Sequence, residues 1–161
     1  MTELAPFLDG ADYVEFKEIE SENSLREFVA GVFGWSPGWV KFLFGARYLL
    51  ARALRLETAR VPRRPPLRPE DVGFEPGDPV GLFRVQSGDP ERYLVVGADD
   101  SHLSGYLTVV ASPVAGARKR FQVGTIVHFH NRVGPAYFAL VRPFHHLVIR
   151  GMLKAGAARP A

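Results

Sequence analysis

The sequence predicts an α+β domain in which an antiparallel sheet is covered by helices on one face. Three observations predict it: an alternating strand pattern near the start, two helical periodicities directly after it, and a long strand-rich remainder that ends in a helical segment. Strands joined by short turns, with helices gathered on one side, pack as two layers around a core.

The stretch "DYVEFKEIE" sets Tyr13, Val14, Phe16 and Ile19 among acids, which reads as a first strand over 11–20. "SENSLREFVAGVFG" follows. Ser24 suits a helix N-cap and Glu27, three residues on, completes a capping box. Leu25, Phe28, Val29 and Val32 form its apolar stripe, and Gly34 can end it. "SPGWVKFLFGARYLLARALRL" starts a second helix, with Ser36 as N-cap and Pro37 at the first helical position. Trp39, Leu43, Ala46, Leu50 and Ala53 recur at helical spacing, with Lys41, Tyr48, Arg52 and Arg55 on the other side. So wide an apolar face predicts packing on two sides, with a membrane-surface helix as the alternative.

Residues 57–79 are rich in proline and mixed charge, so they are expected to form an extended connector outside the core, able to serve as a flap or a partner-binding segment. Four or five strands are expected from "VGLFRVQSG", "ERYLVVGADD", "HLSGYLTVVASP" and "RKRFQVGTIVHFHNRVGPAYFALVRP". In the last of these, "NRVG" suits a type I turn with a glycine bulge, which would pair Phe129 with Tyr137. A final helix of about 12–15 residues is expected to begin at Pro143, leaving 156–161 as a flexible tail. One domain over 1–161 accommodates all of this.

The 161-residue chain is 47% hydrophobic and 23% charged, an ordinary globular balance. It has no cysteine, which excludes disulfides, thiolate metal sites and cysteine nucleophiles and agrees with a cytoplasmic location. The net charge is only +3, and the arginines at 60, 63, 64 and 68 are interleaved with prolines. The aromatics follow core spacing rather than alternating with basic residues, so no nucleic-acid partner is expected. No signal peptide is visible, and Lys41, Arg47 and Arg52 interrupt the most apolar stretch, so no transmembrane segment is expected. No phosphate-binding glycine loop, dinucleotide fingerprint or serine-nucleophile motif occurs, and no cofactor is expected.

The order of strand, two helices, several strands and a final helix resembles the helix-grip fold of the START and birch-pollen-allergen superfamily. There a curved antiparallel sheet wraps around a C-terminal helix, with two short helices after the first strand. The segments "GWSPGWVKFLFGARYLLARALRL", "GDPVGLFRV", "GADDSHLSGYLTV" and "GTIVHFHNRVGPAYFALVRPFHHLVIRGML" are similar to those of an uncharacterised bacterial family, domain of unknown function 2867. They span most of residues 35–153. The shared elements stand here as Asp99, Asp100, His102 and Leu103, and as Pro143, Phe144 and His145. After Leu103 this chain departs from the family pattern with Ser104, Gly105 and Tyr106. The resemblance implies the helix-grip fold and, with it, an apolar ligand cavity between sheet and last helix. It implies no established activity.

Four of the five histidines fall in 127–148. Strand alternation puts Phe121, Val123, Thr125, Val127 and Phe129 on the core face, so His128 and His130 point to the other face. A zinc site there would need a further ligand that nothing supplies, so no metal is expected. On the last helix, His146 joins Arg150 and Lys154 on a polar, solvated stripe, whereas His145 lies at the buried edge. His102 follows two carboxylates, which could orient it for acid–base work or merely cap a hairpin.

The leading expectation is a binding module for a small hydrophobic or amphipathic ligand. Leu103, Leu107, Val127, Phe129 and Tyr137 would line the sheet side, and Phe144, Val148 and Met152 the helix side. The polar end would lie among Asp100, His102, Arg142 and His145. The alternatives are a cyclase- or isomerase-type enzyme, with Asp100, His102 and His145 as its candidate catalytic residues, or an interaction protein working through residues 57–79. A homodimer is compatible with either.

Overall fold

The computed structural model describes residues 2–56 and 66–159. A 3-10 turn, Thr2–Leu4, and a one-turn helix α1 (Ala5–Leu8) lead into strand β1 (Tyr13–Ser21). Helices α2 (Leu25–Gly34) and α3 (Gly38–Ala53) follow. The chain then runs through β2 (Pro79–Val80), β3 (Phe83–Asp89), β4 (Tyr93–Asp99), β5 (Leu103–Ala115) and β6 (Arg118–Phe129) to helix α4 (Val133–Ala157). All strand pairs are antiparallel, and the sheet order is β1-β6-β5-β4-β3-β2. A meander whose first strand closes against its last, with two helices after β1 and one long helix at the end, is the helix-grip architecture.

The expected capping box is present. Ser24 Oγ accepts from the Glu27 N–H at 3.2 Å, and the Glu27 carboxylate accepts from the Ser24 N–H at 2.7 Å. Behind this cap, Leu25, Phe28, Val29 and Val32 enter the main core with Leu94, Val96, Leu107, Val109, Phe121 and Val123 of the sheet. The Phe28 and Phe121 rings stack with centroids 4.0 Å apart. Ile149 and Leu153 bring in the second half of α4. The two helices approach closely: a Cβ on Gly31 would lie 2.6 Å from the Ala155 carbonyl oxygen, and one on Gly156 would lie 2.6 Å from Val32 Cγ2.

Four expectations are corrected by the structure. Residues 57–65 of the expected connector lie outside the described residues, but part of the rest enters the core. Val72 and Phe74 are buried in the core, and Arg26 both donates to the Val72 carbonyl at 2.6 Å and lies over the Phe74 ring. Second, residues 156–158 are not a tail. Asn23 Nδ2 donates to the carbonyls of Gly156 and Ala158 at 2.8 Å each, and Ser21 Oγ donates to that of Ala157 at 3.0 Å. These bonds satisfy carbonyls that a helix C-terminus otherwise leaves open.

The third correction concerns the expected hairpin at 131–134 and its strand over 136–142. Helix α4 occupies this stretch without interruption from Val133, so Phe129 and Tyr137 do not pair as strand residues. Asn131 Oδ1 accepts from the N–H groups of Val133 at 3.0 Å and Gly134 at 3.2 Å, which caps a helix rather than turning a hairpin. Pro135 stands in the first turn, where its missing N–H costs nothing. Pro143 lies inside the helix, and the carbonyl it orphans belongs to Ala139 on the exposed flank, open to water. The buried positions Gly134, Tyr137, Phe138, Ile149, Leu153 and Gly156 follow the helical period.

Alternation along β6 holds as expected. Its other face, with His128, is not bare, because the N-terminal segment lies over it. Phe7 packs on Tyr106 with ring centroids 5.2 Å apart, Tyr106 packs on His128, and Leu4 and Ile126 are fully buried. Helix α3 departs most from expectation. Only Val40 and Ala51 of its residues are buried, so it packs on one side, not two.

Candidate functional site

Where α3, the β4–β5 turn and the start of α4 meet, four polar side chains come together. Arg47 donates to Asp100 Oδ2 at 2.9 Å and also to the Tyr137 hydroxyl. Its guanidinium lies 5.9 Å from the Tyr137 ring centroid. His102 sits edge-on to Tyr137, with centroids 4.6 Å apart. The turn is held from both sides, because the Asp100 N–H donates to the Leu103 carbonyl and the His130 N–H donates to the His102 carbonyl. Gly134 allows α4 this close, since a Cβ there would lie 2.6 Å from the His102 carbonyl oxygen.

His102 is fully buried (0% exposed), and neither ring nitrogen has a hydrogen-bond partner. Burial holds its pKa below the ordinary histidine value. Asp100 works against this, while Arg47 and His130 reinforce it. The ring is therefore neutral at pH 7, with one donor and one acceptor unused. Burial likewise raises the Tyr137 hydroxyl above its ordinary value.

A second polar cluster lies further along α4, against β1. The inward face of β1 carries Tyr13, Glu15 and Lys17, opposite Val127, Thr125 and Val123 of β6. Glu15 accepts from Tyr13 at 3.1 Å, from Lys17, and pairs with His146 Nδ1 at 3.1 Å. Burial works to raise the Glu15 pKa, but the bonds from Lys17 and Tyr13 outweigh it and leave the carboxyl below its ordinary value. Thr125 Oγ1 and His145 Nε2 share a hydrogen bond at 3.1 Å. Burial depresses the His145 pKa to about 4, against the opposing pull of Glu15. Between the two clusters lies an aromatic layer. Phe138 packs on Tyr13, Phe129 and His145, with ring centroids 4.8, 5.9 and 6.3 Å away.

The structure thus brings Asp100, His102 and Tyr137 together, and places His145, Val127 and Phe129 on the same inner side. Leu103 pairs with Phe129 at the end of β5, and Arg142 reaches over the Tyr13 ring at 5.2 Å. Val148 is half-buried on α4. Three expected lining residues lie elsewhere. Phe144 faces outward, Leu107 belongs to the packed core, and Met152 packs against that core. His146 is paired with Glu15 rather than solvated. Sequence reasoning missed Arg47, Glu15, Lys17 and Thr125. Strict alternation along β1 would have put Glu15 and Lys17 on the face of Tyr13 and Ile19. Nothing in the sequence marks Arg47 apart from the other basic residues of α3.

The outer histidines line a pocket of about 380 Å³, together with Phe7, Asp12, Ser104 and Tyr106. His128 Nε2 donates to the Phe7 carbonyl at 2.8 Å, and His130 Nε2 shares a hydrogen bond with Ser104 Oγ at 2.7 Å. Among the described residues, no three histidine or carboxylate side chains converge as metal ligands, and no helix is long and apolar enough to cross a membrane.

The fold and its inner polar clusters define a helix-grip protein. The chain belongs to the family described as protein of unknown function (DUF2867), whose model matches residues 7–152. Among solved structures it is similar to Ara h 8.0201, at 8% identity and a TM-score of 0.42, over 89% of this chain and 97% of that one. It is also similar to norcoclaurine synthase from Thalictrum flavum in complex with dopamine and hydroxybenzaldehyde, at 14% identity and a TM-score of 0.45, over 94% of this chain and 88% of that one. No ligand, reaction or residue role is carried over from either. No curated protein matches the sequence significantly.

Proposed function

We propose that the protein binds a small amphipathic molecule between its sheet and the first half of α4. The ligand's polar end meets His102, Tyr137, Arg47 and Asp100, and its apolar body lies against Phe129, Phe138 and Leu103. The observation that carries this reading is His102, a fully buried imidazole with neither nitrogen bonded. Leaving a buried polar group unpaired costs about 1–3 kcal/mol. A neutral ring of this kind can donate to a hydroxyl or carbonyl oxygen through one nitrogen and accept from a hydroxyl through the other. The charge of Arg47 is already met by Asp100, so an anionic head group is not required.

A second reading is an enzyme that moves a proton in the same place. It is favoured by the buried His102 ring, whose two nitrogens are both unbonded, standing beside the Asp100 carboxylate. Asp100 beside His102 would stabilise the imidazolium as it forms.

Native mass spectrometry of the chain purified from cells, followed by titration with naphthol as a neutral amphipathic probe, tests the binding reading. A co-purifying adduct, or a saturable shift of the His102 ring resonances with naphthol, is the expected result. No adduct and no His102 response would sink it.

A further inference from the structure

Helix α3 is buried along Val40 and Ala51, and its opposite face is apolar as well. Trp39, Phe42, Ala46, Leu49 and Ala53 fall at i, i+3, i+7, i+10 and i+14, and all five are exposed, Phe42 at 75% and Leu49 at 65%. Helix α4 repeats the pattern. Val133, Leu140, Phe144 and Leu147 fall at i, i+7, i+11 and i+14, with Leu140 and Leu147 each 55% exposed. The two helices are neighbours. Trp35, just before α3, stacks its ring where a Cβ on Gly151 would stand, and Arg47 further along reaches Tyr137, so α3 runs back along α4. Exposed apolar patches of this size on a folded domain mark a surface that meets something.

Charge says what it meets. All 17 acidic residues lie within 3–27 and 57–100, so neither 28–56 nor 101–161 holds a single aspartate or glutamate. Both helices are therefore free of acids. On α3, Lys41 and Arg52 stand exposed beside the apolar stripe, and on α4, Arg150 and Lys154 do the same. Apolar side chains flanked by lysine and arginine suit a lipid interface, where the apolar groups enter the acyl boundary and the cations remain among the head groups. A second copy of the chain would bring the same acid-free face and repel it.

We propose that the exposed apolar stripes of α3 and α4, with Lys41, Arg52, Arg150 and Lys154, form a docking surface for an anionic lipid bilayer. This rests on helix faces and charge, independently of the ligand reading above. An anionic leaflet attracts each nearby cation by an amount equivalent to about fivefold in affinity.

The test is co-sedimentation of the full chain with vesicles of phosphatidylcholine alone or mixed with phosphatidylglycerol, alongside light scattering without vesicles. The expected result is binding to the mixed vesicles only, released by high salt, from a protein that is monomeric in solution. Phe42→Glu and Leu49→Glu abolish binding, and Lys41→Gln and Arg52→Gln each weaken it by about fivefold. The double variant Arg118→Glu, Lys119→Glu, in the β5–β6 hairpin and on neither helix, binds as before. The proposal is overturned by equal loss in the hairpin variant, which would mean generic attraction to net charge. It is also overturned by indifference to Phe42→Glu, or by a dimer that Phe42→Glu dissociates while vesicles go unbound.

Discussion

Arg47 of α3 and Asp100 of the β4–β5 turn are joined at 2.9 Å across 53 positions of sequence, and this bond ties α3 to the turn that presents His102. Because α3 is buried only at Val40 and Ala51, a polar tether carries much of its placement. Arg47→Leu should therefore loosen α3 and leave Asp100 without its cation. A loss of about 1–3 kcal/mol is expected in urea unfolding, mostly from the stranded carboxylate. The His102 pKa should rise in the variant, because Asp100 favours the imidazolium while Arg47 opposes it. Histidine ring titration by NMR reads this directly.

His102 separates function from packing. A buried ring with no hydrogen bond gains nothing for stability from its nitrogens, so His102→Phe should keep or raise the melting temperature. His102→Ala should lose about 2–4 kcal/mol through the cavity it leaves. If the site binds as proposed, His102→Phe also loses the naphthol response. Thermal unfolding and the NMR titration together distinguish the two effects. A large drop in stability for the phenylalanine variant would show that the ring nitrogens hold the fold.

The pH dependence of stability has a definite sign. The folded pKa of His145 is about 4 against an unfolded value near 6.5, so between these pH values the unfolded chain binds the extra proton. Stability should fall as pH drops from about 6.5 towards 4, by an amount on the order of 3 kcal/mol for this residue. His102, also depressed, adds a contribution of the same sign. His145→Gln, which can keep a bond to Thr125, should flatten the slope without abolishing it. Urea midpoints across that pH range would check this, and an unchanged slope would exclude His145 as its source.

The C-terminus of α4 is pinned from the loop after β1. Asn23→Ala removes two hydrogen bonds to carbonyls at the helix end, one buried and one part-buried, and should cost about 1–3 kcal/mol. Hydrogen exchange should show the loss concentrated in the last turns of α4, leaving the β4–β5 pairing protected. Uniform loss across the sheet would contradict a local role.

Gly31→Ala probes the α2–α4 contact. Its Cβ would meet backbone atoms of Ala155 and Gly156, which cannot turn aside as a side chain can. The helices must separate, at about 1–3 kcal/mol. A variant as stable as the parent would show that this packing yields easily.

Much of this was legible in local pattern. The β1 alternation, the Ser24–Glu27 capping box and the strands over 83–129 all follow from neighbouring residues, because strand period and helix caps are local properties. The region after Phe129 was misread because "NRVGPAYFALVRP" satisfies two periods. Tyr137, Ala139 and Val141 alternate, while Gly134, Tyr137, Phe138 and Val141 follow the helix. The Asn131 side chain and a covered inner sheet face decide for the helix. The site was half legible: Asp100 and His102 stood out as a motif, whereas Arg47 was one basic residue among several.

By itself the sequence determined the order of elements from β1 to β6, the face on which His128 stands, and the absence of any thiol chemistry. Those are consequences of local periodicity and composition. Tertiary structure alone decided that His102 is buried and unpaired, that Arg47 and Glu15 turn inward, and that α3 shows an apolar face to the outside. Burial and pairing depend on which distant segments arrive at the same place. No pattern within one segment encodes that a helix at 38–53 will meet a turn at 100.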